Sequence, residues 1–60
     1  MRELINKYLN KKIGVELKNG FYYEGYVLEV SDRAFRLFDR NGSHVTLFFD
    51  SIVFIKEVSE

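Results

Sequence analysis

The sequence predicts a mostly β fold, a short N-terminal α-helix followed by a five-stranded, strongly bent small barrel. Three observations lead there. Asn19-Gly20 and Asn41-Gly42 each stand between runs of alternating apolar residues, the strongest short-range hairpin signal, because the tightest hairpin turn needs positive φ at both central residues. Gly25 lies in the middle of the apolar run from Phe21 to Val30, where a glycine marks a bulge, a sharp bend or the close approach of another backbone. Only the first ten residues carry a helical period; the rest alternates with period two.

In chain order, Leu4, Ile5, Tyr8 and Leu9 form one apolar side among Arg2, Glu3, Asn6 and Lys7. That pattern predicts an amphipathic helix from about Arg2 to Asn10, too short to persist unless it lies on an open end of the barrel. Lys11 and Lys12 suit its C-terminus, where cations meet the exposed carbonyls. Ile13, Val15 and Leu17 alternate with Gly14, Glu16 and Lys18 in a first strand. The second sets Phe21, Tyr23, Gly25 and Val27 against Tyr22, Glu24, Tyr26 and Leu28, and is apolar on both sides near its end, which suits a bend between two sheet faces at Gly25. After Ser31-Asp32-Arg33, Phe35 and Leu37 alternate with Ala34, Arg36 and Phe38 in a third strand. Residues 39–43 form a second hairpin loop, and His44 to Phe49 a fourth strand with Val45, Leu47 and Phe49 on one side. Asp50-Ser51 breaks it, Ile52 to Ile55 forms a short apolar fifth strand, and the polar residues 56–60 are expected to fray. This layout is that of an SH3-like barrel; an OB-like barrel needs a longer chain with a helix between strands.

Sixty residues read as one domain, 1–60, and at this size stability usually requires disulfides, a metal or self-association. Cysteine is absent and His44 is the single histidine, so disulfides and a structural zinc site are excluded. Association remains, and with hydrophobic residues at 47%, six Phe and four Tyr, the chain has more apolar surface than a lone small barrel hides easily. No apolar run approaches a membrane span and no signal-peptide pattern opens the chain, so a cytoplasmic protein without a membrane partner is expected. Nine basic residues balance nine acidic ones, so any anion binding has to be local. No nucleophile–base arrangement and no Gly-rich phosphate loop is present, and the expectation is a protein that is not an enzyme and needs no cofactor.

Val15-Glu16-Leu17-Lys18-Asn19-Gly20, then Tyr23, Gly25 and Val27, then Asp32 and Phe35-Arg36-Leu37, resemble the first Sm motif of the Sm/LSm family, which includes bacterial Hfq. Phe48-Phe49-Asp50-Ser51-Ile52-Val53-Phe54-Ile55 is similar in layout to the second motif. The resemblance extends from about Arg2 to Val58 and implies a helix-capped Sm-like barrel. In that family the fourth strand of one subunit pairs with the fifth of the next, closing a homo-oligomeric ring of about five to seven copies. It also implies single-stranded RNA as a partner. Subunit contacts would come from Val45, Leu47 and Phe49 on one side and Val53, Phe54 and Ile55 on the other, the ring satisfying strand edges that would otherwise invite aggregation.

The family's uridine pocket uses a stacking residue, an Asn and an Arg-Gly pair. With Asp32 at the motif Asp, Ala34 and Arg36 occupy the first two positions; in the alternative register Ser31 takes the Asp position, and Arg33 and Phe35 follow. Phe48-Phe49 replaces Arg-Gly in either case. The RNA-binding candidates are therefore Arg33, Arg36 and Arg40, which a ring would gather into a positive annulus, with Phe48 as a stacking surface and His44 as a lesser contact. The competing reading pairs the arginines with Asp32, Asp39, Asp50 or a neighbouring copy. Tyr22, Tyr23, Tyr26 and Phe38 could join a base-stacking platform or serve as core and contact residues, and Arg2, Lys7, Lys11 and Lys12 form a basic helix end. The alternative function is an oligomeric scaffold holding protein partners, in which the RNA pocket has been lost.

Overall fold

The structure, a computed structural model, describes residues 2–58. One short helix, α1 (Arg2–Asn6), precedes strands β1 (Lys12–Leu17), β2 (Tyr22–Val30), β3 (Ala34–Asp39) and β4 (His44–Phe48); a 3₁₀ turn over Phe49–Ser51 then leads into β5 (Ile52–Glu57). The strands form one antiparallel sheet in the order β4-β3-β2-β1-β5. Among the described residues β4 and β5 do not pair with each other, so the sheet has two free edges and is not closed into a barrel.

Inward-facing positions meet in cross-strand rows: Val15 between Tyr23 and Ile55, Leu37 between Val27 and Val45, and Phe35 between Val30 and Leu47. With Ile5, Ile13, Leu17 and Phe49 they enclose the core, and the Phe35 and Phe49 rings stack at 6.1 Å. Two irregularities keep polar residues out of it. On β2, Val27 faces Leu37 but Glu29 faces Arg36, which leaves Leu28 unopposed; the extra residue turns Glu29 outward and Val30 inward, where strict alternation would have done the reverse. On β5, Val53 is the unopposed residue between Ile52 and Phe54.

Gly25 is not where the register breaks. A Cβ there would lie 2.0 Å from the Phe38 carbonyl oxygen, so its role is to admit the β3 backbone, and the bulge follows three residues later. The first hairpin differs from the tight Asn19-Gly20 turn expected, and the second is tighter than the expected loop over residues 39–43. Leu17 N–H donates to Phe21 O (2.9 Å) and Gly20 N–H to Leu17 O (2.9 Å), while Asp39 N–H donates to Ser43 O and Gly42 N–H to Asp39 O, both at 2.8 Å. These are three-residue loops in which Gly20 (φ 89°) and Gly42 (φ 87°) are left-handed and the asparagines are not.

The helix is shorter than the predicted span because β2 captures the chain first. Asn10, at φ 66°, donates its N–H to Val27 O (2.8 Å), and Val27 N–H donates to Lys11 O (3.1 Å). Lys12 then belongs to β1. Ile5 is fully buried and Tyr8 packs against the core, whereas Leu4 and Leu9 remain exposed. Of the tail expected to fray, Lys56 and Glu57 continue β5 and Lys56 lies over the Tyr22 ring; residues 59 and 60 fall outside the described residues.

Two substitutions separate the glycine roles in urea unfolding. Gly20→Ala has open space around it and should cost about 1 kcal/mol for left-handed backbone alone. Gly25→Ala meets backbone that cannot swing away and should cost more, about 3 kcal/mol.

Candidate functional site

The β2–β3 connection and the β4 end are held together by backbone. Ser31 N–H and its Oγ both reach Ala34 O, at 2.8 and 2.9 Å, tightening the turn that carries Asp32 and Arg33. Arg33 O accepts the Phe49 N–H at 2.9 Å, and Ala34 faces Phe48 directly across the β3–β4 ladder. The two segments that carry the sequence motifs thus meet at one end of the sheet. An open cleft there is lined by Asp32, Arg33, Phe49 and Asp50.

The Phe48 ring is 57% exposed, since the small Ala34 opposite gives it little to pack on. Arg33 is exposed and makes no side-chain hydrogen bond or ion pair among the described residues. Its neighbour Asp32 is engaged by Arg2. Arg36 lies one row along from Phe48 on the outward side, bound to Glu29 at 3.2 Å. A cation and an exposed ring at one end of a sheet are the kinds of group that hold a phosphate and a stacked base on single strands.

Arg40 and His44 are elsewhere. They flank the β3–β4 hairpin loop at the opposite end of β4, and four residues of strand put His44 about 13 Å from Phe48. Arg40 contacts Glu24 at 3.5 Å, and His44 meets Phe38 edge-on, with ring centroids 5.4 Å apart. The five RNA-binding candidates therefore form two groups rather than one. The arginine partners also differ from those expected: Glu29 and Glu24 hold Arg36 and Arg40, and neither Asp39 nor Asp50 is paired with an arginine.

The candidate contact residues divide as well. Leu47 and Phe49 are buried in the chain's own core, and Val45 and Ile55 pack against it. Val53 and Phe54 stand exposed, 57% and 44%, on edge strand β5.

Sequence reasoning treated Asp39 only as a partner for arginine, yet it is 8% exposed and lines a second cleft with Lys12, Tyr26, Phe38 and Arg40. A signal was present: Asp39 is in phase with Phe35 and Leu37, the inward residues of its strand.

In comparison with known proteins, the chain matches no family model, no curated protein and no solved structure. Among the described residues no cluster of acidic or histidine side chains could hold a metal ion, and no helix is long and apolar enough to cross a membrane.

The ion pair between Arg36 and Glu29 is exposed on both sides and contributes little to folding. Arg36→Ala should change unfolding free energy by less than about 0.5 kcal/mol, so any effect it has on ligand binding can be read directly from a titration.

Proposed function

We propose that this protein is a subunit of a homo-oligomeric, Sm-like ring that binds single-stranded RNA rather than catalysing a reaction, its bent sheet forming the Sm-like barrel. The observation that carries the reading is the strand order, which leaves β4 and β5 as the two free edges. A β4 edge of one copy set against the β5 edge of the next is a head-to-tail contact, and such contacts close into rings when the rotation permits. Pairing would cover the exposed Val53 and Phe54 and supply partners for both rows of edge backbone groups.

The RNA part rests on Arg33 and Phe48. Repetition around a ring would multiply one unpaired arginine and one exposed ring per subunit into a continuous track, despite the zero net charge of each chain. The second reading, a ring that holds protein partners, is favoured by the glutamates that engage Arg36 and Arg40 and by the apolar character of Phe48.

Native mass spectrometry of the untagged protein should give a single closed species of about five to seven subunits, and Val53→Asp should reduce it to a folded monomer. An unchanged assembly mass in that variant would remove the β5 contact. Nucleic-acid-free protein should bind single-stranded RNA with an affinity that falls as salt rises, and Phe48→Ala should weaken binding about tenfold, as loss of one stacked base requires. Bare rings that ignore RNA at low salt would leave the scaffold reading in its place.

A further inference from the structure

The cleft between the β2–β3 turn and the end of β4 has a charge balance that its lining residues alone leave unfavourable for RNA. Arg33 is the cation among them, and Asp32 and Asp50 are both carboxylates. Two negative charges against one positive would turn a phosphate away. Asp50 joins no ion pair among the described residues. The missing positive charge comes from the helix, where the Arg2 guanidinium engages the Asp32 carboxylate and brings the group to two charges of each sign.

The fold delivers Arg2 to that place. Ile5 is fully buried in the core, and helix residues three positions apart lie on the same side, so seating Ile5 carries Arg2 to the β2–β3 turn. The turn that receives it is fixed by backbone: Ser31 N–H and Oγ both reach Ala34 O, and Arg33 O accepts the Phe49 N–H. The Arg2 and Asp32 side chains are 59% and 82% exposed, and such a pair adds little to folding. Its consequence is electrostatic.

We propose that Arg2 is a charge-compensating residue of the RNA site: by neutralising Asp32 it lets the adjacent Arg33 hold a phosphate of the strand. This rests on the RNA-binding reading above and gives the helix a part in it. Arg2 acts through Asp32 and does not touch the strand. One unit charge about 7 Å from a phosphate in water changes affinity about threefold. The effect fades as salt rises, because the Debye length shortens to about 3 Å at 1 M.

Fluorescence anisotropy of a mixed-sequence single-stranded RNA oligonucleotide, titrated at low salt with the nucleic-acid-free full chain, tests this through the sign of two effects. Arg2→Ala and Asp32→Asn break the same ion pair, yet they should move affinity in opposite directions, about threefold weaker for the first and about threefold tighter for the second. The double variant should return to wild-type affinity, Arg2→Lys should keep it, and every variant should unfold at the wild-type temperature. Single variants that weaken binding alike would make the pair a structural tether. A double variant as weak as Arg2→Ala would place Arg2 on the strand itself. Either result overturns the proposal, as does unchanged affinity in both single variants, and each leaves the RNA-binding reading standing. Wild-type protein that ignores the oligonucleotide would instead overturn that reading and this proposal together.

Discussion

The close approach of β2 and β3 at Gly25 is the contact on which the rest of the structure depends. With no Cβ between them, the Phe38–Asp39 backbone settles onto β2, and this aligns Val27 with Leu37 and, after the bulge at Leu28, Val30 with Phe35. On its other side β2 holds β1 along Lys12 to Glu16 and the Asn10–Lys11 segment at Val27. That second contact fixes where the helix ends and therefore where Ile5 enters the core. A single central strand thus sets the register for the sheet and the position of its cap.

Because β2 and its two neighbours take the interior positions, the remaining strands take the margins, and three of the large apolar residues that the core does not use stand on them. Phe48 ends β4, and Val53 and Phe54 lie on β5. In a chain this short the core is small, and two unpaired edges with exposed aromatic and branched residues are a liability for a lone molecule. Self-association through those edges answers both problems by one physical route, which is why the ring reading draws on the fold more than on any single side chain.

The two ends of the β3–β4 hairpin differ in chemistry. At the Phe48 end an arginine without an ion pair among the described residues stands at the same end of the sheet as an exposed ring; at the loop end Arg40 is held by Glu24 and His44 meets Phe38 edge-on.

Alternation, the two Asn-Gly pairs and the apolar run from Ile52 to Ile55 determined the five strands, the two hairpins and most of the core, since alternation of Ile13, Val15 and Leu17 or of Phe35 and Leu37 has only one burial solution on a pleated sheet. Turn geometry was less legible: Asn-Gly is compatible with two-residue and three-residue loops, and the hydrogen bonds of Leu17 and Asp39 decide between them. The resemblance to the Sm motifs singled out Arg33 and Phe48. What only the tertiary structure decided was the end of the helix, the bulges at Leu28 and Val53, the sorting of arginines onto Glu24 and Glu29, and the burial of Asp39 opposite Gly25. Each depends on residues distant in the chain arriving at the same place, and a local pattern carries the side a residue faces but not the neighbour it meets there.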